Sequence, residues 1–118
     1  MFLTKKFSFD AAHKLPGYKG KCKNLHGHTY YLKVTVEGKV NPQTGMIIDF
    51  FDLEKIVEDK ILNYLDHSFL NDKIKMPTTE NVALWIWDKL NDNFLKNNCK
   101  LYEIKLFENS ESSVTIRR

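Results

Sequence analysis

Residues 26 to 38 alternate in polarity without a break, and this run constrains the fold more than any other stretch of the chain. His26, His28, Tyr30, Leu32, Val34 and Val36 share one parity, while Thr29, Tyr31, Lys33, Thr35 and Glu37 share the other. Period two over this length marks a β-strand with one buried face. The buried face opens with two imidazoles, which are adjacent along the strand and leave it on the same side.

The neighbouring segments supply partners for that strand. Residues 2–13 alternate as well, with Phe7, Phe9, Ala11 and His13 on one face. Residues 14–25 contain Pro16, Gly17, Gly20 and four lysines, and read as a loop. Asn41-Pro42-Gln43-Thr44-Gly45 reads as a turn, followed by a short strand over Met46–Asp49. Asp49 can cap a helix whose apolar residues are Leu53, Ile56, Val57, Ile61 and Leu65. A second helix starts at Thr79, with Val82, Trp85, Ile86, Leu90 and Phe94 as its stripe and Cys99 near its end. Leu101–Glu108 predicts a third long strand with Tyr102, Ile104, Leu106 and Glu108 on one face, and Ser113–Arg118 predicts a fourth. The order ββααββ favours an α+β architecture: an antiparallel four-stranded sheet with two helices on one face.

Composition excludes several classes. The 118 residues predict a single domain over 1–118, and 42% hydrophobic with 28% charged residues is far from disorder. No apolar run approaches the ~20 residues of a membrane span. The N-terminal segment lacks signal-peptide order, and two cysteines make no disulfide framework, so a cytoplasmic location is expected. The net charge of +3 is uneven: residues 1–40 carry eight lysines and two acids. Three of the four histidines lie in the same basic third.

A hairpin of the first two strands would bring His13 close to His26 and His28. Three imidazoles on a rigid sheet suit zinc and leave a fourth position open, the catalytic rather than the structural pattern. A His-x-His pair alone is more often a hydrogen-bonded core feature; His13 on the matching face tips the balance toward metal. Cys22, between Lys21 and Lys23, is open to two roles: a fourth ligand that closes the site, or a thiolate base or nucleophile of lowered pKa. An ordinary loop thiol is the bland alternative. For Asp66-His67 local capping competes with a carboxylate that tunes an imidazole. Glu108 continues an apolar face, so its carboxylate needs a partner, which the N–H edge of a guanidine-like ligand could supply.

These blocks together resemble the 6-pyruvoyl-tetrahydropterin synthase / 6-carboxytetrahydropterin synthase family. The matching stretches are Phe7–His13, Cys22-Lys23-Asn24-Leu25-His26-Gly27-His28, Thr44–Phe50, Leu65–Asn71 and Pro77–Asn81 leading into Trp85-Ile86-Trp87. The resemblance covers essentially the whole chain. It implies a tunnelling fold, in which subunits join strands into a barrel, and a homo-oligomer, a hexamer built as a dimer of trimers. It implies Zn²⁺ on His13, His26 and His28, and Cys22 as general base, with Asp66 and His67 as a relay that can come from a neighbouring chain. It also implies Glu108 as the anchor of a pterin ring, with Thr78, Thr79 and Glu80 lining that pocket.

The substrate it implies is 7,8-dihydroneopterin triphosphate, for which Lys14, Lys19, Lys21 and Lys23 would form a positive rim. The short gap between His13 and Cys22 resembles the bacterial 6-carboxy branch, which releases acetaldehyde and triphosphate on the route to queuosine. The pyruvoyl branch, on the route to tetrahydrobiopterin, is the alternative. Cys22 argues against variants that carry glutamate there. After Glu108, Asn109–Val114 departs from the proline- or aromatic-containing segment of many relatives.

Two rivals remain at this level. A structural zinc module with Cys22 as fourth ligand would bind nucleic acid through the N-terminal lysines, with steep salt dependence. A degenerate interaction protein would not need the intact set of Cys22, Asp66, His67 and Glu108. The enzyme reading assigns no nucleic-acid partner and no membrane.

Overall fold

The computed structural model describes residues 1–20 and 23–118. Strands β1 (Phe2–His13) and β2 (His26–Gly38) form an antiparallel pair, in register from Phe2 opposite Glu37 to His13 opposite His26. Both alternations are realised: Phe7, Phe9, Ala11 and His13 are buried on one side, with Tyr30, Leu32, Val34 and Val36 beside them. Strand β4 (Cys99–Phe107) pairs with β2, and β5 (Ser113–Arg117) pairs with β4.

The sheet has one strand more than expected. Strand β3 (Ser68–Phe69) runs parallel to β1 at Ala11 and Ala12, so the order is β3-β1-β2-β4-β5 and the sheet is mixed. Two residues are too few for periodicity to reveal. The pairing is made by the returning chain, where the His67 N–H donates to the Asp10 carbonyl at 2.6 Å.

One face of the sheet is covered by helices. Helix α1 (Phe50–Val57) continues through a π-helical turn (Glu58–Leu62) into a last turn, α2 (Asn63–Leu65). Asp49 caps it, accepting from the Phe51 N–H at 2.8 Å. The buried residues Leu53, Val57, Ile61 and Leu65 recur in steps of four. Steps of four drift off a 3.6-residue helix, and a wider π turn returns them to one line. Each buried side chain contributes roughly 1.5–3 kcal/mol of transfer free energy. Helix α3 (Thr79–Leu90) starts at the expected residue, and Thr78 caps it, accepting from the Asn81 N–H at 3.2 Å. Val82, Ala83, Ile86 and Leu90 are buried, and Phe94 is buried beyond the helix end.

Three local expectations are corrected. Met46–Asp49 forms no strand; Asn41 and Met46 make a single bridge, because the chain must already turn to cap α1 at Asp49. Cys99 opens β4 rather than closing a helix, and is buried. Tyr102 leaves the face assigned to it. A bulge on β4 pairs Thr35 with Glu103 and Val36 with Leu101, so Tyr102 is the extra residue. Leu101 and Ile104 both point inward, while Tyr102 packs on Phe2 with ring centroids 4.4 Å apart.

Candidate metal centre

The β1–β2 register sets the site. His13 ends β1 directly opposite His26, the first residue of β2, and His28 follows on the same face. One ring nitrogen from each of the three histidines lies within 4.8 Å of the other two. His13 is 1% exposed; His26 and His28 are half-buried.

Hydrogen bonds determine which nitrogens face inward. His13 Nδ1 lies 2.7 Å from the Pro77 carbonyl, and His26 Nδ1 lies 2.7 Å from the Asn24 carbonyl. A carbonyl only accepts, so each Nδ1 carries the proton and each Nε2 presents a lone pair. Yet the two Nε2 atoms are 3.0 Å apart. Two lone pairs at that distance repel, and only a shared proton or a cation relieves them. His28 Nε2 completes the group, buried and without a hydrogen-bond partner. Three imidazole lone pairs converging on one point fit a borderline-soft divalent ion such as zinc. Burial lowers the His28 pKa, with the other two imidazoles adding to the effect and Glu108 opposing it, so the ring favours its neutral, metal-ready form.

Glu108 stands beside this group. It follows β4 at the mouth of a tight turn, where its N–H donates to the Ser112 carbonyl at 3.1 Å. Asn109 closes that turn, its side chain accepting from the N–H groups of Glu111 and Ser112. Glu108 Oε1 is 3.4 Å from His28 Nε2, close but outside hydrogen-bond geometry. Its Oε2 accepts a short hydrogen bond from the Thr79 hydroxyl. Thus the start of α3 reaches the site twice, through the Pro77 carbonyl on His13 and through Thr79 on Glu108. The hydroxyl of Thr78 is taken by the helix cap, and Glu80 is exposed.

Asp66 and His67 form a second cluster, with Asp10, distinct from the three histidines. Asp66 Oδ1 accepts from the Asp10 N–H at 2.9 Å and lies 3.0 Å from His67 Nδ1. The Asp10 N–H and then His67 hold the Asp66 carboxyl below its ordinary pKa. His67 adopts φ +58, a left-handed conformation uncommon for a residue with a side chain. Its side chain is 79% exposed. Within one chain His67 is therefore open to solvent, and Asp10, Ala12, Gly27, His28, His67 and Phe69 line a hollow of about 530 Å³.

A profile of the 6-pyruvoyl tetrahydropterin synthase family matches residues 2–118. The chain belongs to this family. It is 40% identical over 111 residues to a putative 6-carboxy-5,6,7,8-tetrahydropterin synthase of Archaeoglobus fulgidus, covering 94% of this chain and 90% of the relative. It is 41% identical over 109 residues to a dihydroneopterin monophosphate aldolase of Pyrococcus furiosus, covering 92% and 90%. The solved 6-pyruvoyl tetrahydropterin synthase of Caenorhabditis elegans superposes with a TM-score of 0.86 at 30% identity, covering 100% of this chain and 95% of that one. The fold is accordingly the tunnelling fold, and the chain is an enzyme of the pterin synthase type.

Against this family background the remaining site residues divide. Cys22 and Lys21 lie outside the described residues. Lys14, Lys19 and Lys23 are exposed. Cys99 donates weakly to the Phe94 carbonyl at 3.7 Å, and burial raises its pKa, as for an inert core thiol. Sequence reasoning missed Asp10, whose main chain binds both Asp66 and His67, and Pro77, whose carbonyl orients His13. Both act through backbone atoms, which no side-chain pattern reports. It also missed Asn71, whose amide accepts from the Lys14 N–H at 3.0 Å and donates to the Lys14 carbonyl at 2.8 Å. That clasp fixes the first residue after His13.

Proposed function

We propose that the chain is a zinc-dependent 6-carboxy-5,6,7,8-tetrahydropterin synthase. It would convert 7,8-dihydroneopterin triphosphate and one water to 6-carboxytetrahydropterin, acetaldehyde and triphosphate, a step toward queuosine. The observation that carries the reading is the convergence of three imidazole Nε2 atoms next to a carboxylate held by Thr79. The Archaeoglobus fulgidus relative supports the 6-carboxy branch.

In this reading His13, His26 and His28 would hold zinc, which would supply Lewis acidity toward the hydroxyls of the substrate side chain. Glu108 accepts the N–H edge of the pterin ring and fixes its orientation, with Thr79 holding the carboxylate and Thr78 and Glu80 beside it. Cys22 thiolate takes a proton from the side chain, and His67, tuned by Asp66, carries protons to and from it. Lys14, Lys21 and Lys23 neutralise the triphosphate.

The exposure of Asp66 and His67 supports a shared site, in which this pair serves a neighbouring chain's Cys22. Among the described residues, β1 before Ala11 has no partner on its outer edge, and β5 has none beyond β4. Both edges are free for strands of other subunits in a dimer of trimers. No helix is long and apolar enough to cross a membrane. A nucleic-acid platform finds little support: Tyr30 is buried in the core and Tyr31 is exposed on the other face.

The test is product analysis. Zinc-loaded protein is incubated in parallel with 7,8-dihydroneopterin triphosphate and with 7,8-dihydroneopterin monophosphate, and products are read by mass spectrometry. The 6-carboxy product with acetaldehyde is expected. The 6-pyruvoyl product would assign the other branch, and cleavage of the monophosphate alone would assign the activity named for the Pyrococcus furiosus relative. Neither product from a zinc-loaded sample would sink the synthase reading.

A further inference from the structure

Asp10 of β1 turns its main chain away from β2. Its N–H donates to Asp66 Oδ1 at 2.9 Å, and its carbonyl accepts from the His67 N–H at 2.6 Å. Both groups point to the outer edge of the sheet, so Asp10 and Thr29 face each other at a step of the antiparallel ladder that exchanges no backbone bonds. Side chains stand closest at such steps. Here they make the cross-strand link themselves: the Thr29 hydroxyl donates a short hydrogen bond to Asp10 Oδ1.

Four residues from three segments therefore form one network. Thr29 holds the Asp10 carboxylate, the Asp10 main chain holds Asp66 and His67, and Asp66 Oδ1 lies 3.0 Å from His67 Nδ1. The conformation it holds is not a relaxed one. His67 keeps φ +58, which is costly for a residue with a Cβ and lasts only where neighbouring contacts fix it. The Asp10 carbonyl supplies one such contact, and the pairing of Ser68 with Ala11 supplies the next.

Asp10 and Thr29 are both exposed, so water would satisfy the hydroxyl and the carboxylate equally well. The bond between them therefore adds position more than stability. It fixes residue 10 against β2, and with it everything the main chain of residue 10 carries. Asp10, His28 and His67 line the same hollow, so a swing of residue 10 displaces His67 relative to the histidine group. Small displacements of this kind are expensive in rate.

We propose that Asp10 and Thr29 are positioning residues: the Thr29 hydroxyl braces the Asp10 carboxylate, and through it the main-chain groups that hold Asp66 and His67 in place for proton transfer. This rests on the reading of Asp66 and His67 as the proton relay.

The experiment pairs kcat and KM for 7,8-dihydroneopterin triphosphate, in zinc-loaded full-length protein, with a carboxyl-carbon NMR titration of Asp66 that needs no turnover. Thr29→Val keeps the β-branched shape that a strand favours. It should lower kcat roughly tenfold, inside the range that a misplaced group costs, and leave KM within about twofold. It should also move the Asp66 midpoint up toward its ordinary value as the Asp10 N–H loosens, with zinc content and Tm unchanged. Thr29→Ser returns the hydroxyl and should recover kcat. Asp10→Ala should reproduce the loss, and adding Thr29→Val to it should change nothing more. Wild-type kcat or an unmoved Asp66 midpoint in Thr29→Val, or full additivity with Asp10→Ala, would overturn the proposal and leave the relay reading intact. Wild-type kcat in His67→Ala would overturn the relay reading itself. Loss of zinc or of the fold in Thr29→Val would make the bond structural and overturn the positioning role. An inactive wild type would overturn the synthase reading, and the Asp66 midpoint would still decide whether the brace exists.

Discussion

His13 Nε2 and His26 Nε2 stand 3.0 Å apart although both rings already donate their Nδ1 protons to backbone carbonyls. The arrangement holds two lone pairs against each other and aims them at the point His28 also faces. A bound cation relieves that repulsion, so the metal is expected to stabilise the folded chain. Chelation should lower Tm by on the order of 10 °C if zinc was present at a hundredfold excess over its Kd. His26→Ala should weaken zinc binding by more than roughly 100-fold, beyond the loss typical of an outer partner. Metal analysis after dialysis and a thermal melt check both.

Glu108 and Thr79 are joined by a short hydrogen bond. Glu108→Gln keeps the shape and removes the charge, and should raise KM roughly 10- to 100-fold, the range for hydrogen bonds to a charged group. Thr79→Val should give a smaller rise. Equal KM values for wild type and Glu108→Gln would remove the carboxylate from the ring site.

Cys22→Ala separates base from ligand. If Cys22 is the base, zinc stays at about one per chain and turnover falls by at least roughly 100-fold. A Cys22→Ala protein that emerges metal-free would instead make the thiolate a fourth ligand and the site a closed one.

Thr78→Ala should cost about 1 kcal/mol, the usual loss for an N-cap, because the Thr78 hydroxyl accepts from the Asn81 N–H. A denaturant melt measures it. A fall in activity much larger than the fall in stability would show that the hydroxyl also meets substrate.

Asp66 should titrate below its ordinary 3.8, because the Asp10 N–H and His67 favour the carboxylate. A depressed folded pKa gives stability that is present above the unfolded value and is lost as pH falls through the folded one. The window is therefore below pH 3.8, and the contribution is small because the group is exposed. An NMR titration of the carboxyl carbon reads the midpoint directly. A midpoint at or above 3.8 would mean that the Asp10 contact is not kept in solution.

The sequence by itself determined the two long strands, the helix stripes and the inward histidines. Alternation and four-residue spacing are written in side chains, and burial obeys them at Phe9, Leu32, Leu53 and Ile86. It also placed Glu108 on the inward parity, through Leu106. Only the tertiary structure decided the rest. The bulge at Tyr102 arises from matching two strands, so no single strand shows it. The two-residue β3 exists because Ser68 and Phe69 return to β1. The orientation of His13 depends on a carbonyl 64 residues away, and that of Asp66 on an amide 56 residues away. Backbone groups are the same in every residue, so their pairing is invisible until the chain is folded. The exposure of His67 follows for the same reason: sequence set it beside Asp66, and only the fold showed that its side chain stands open to solvent.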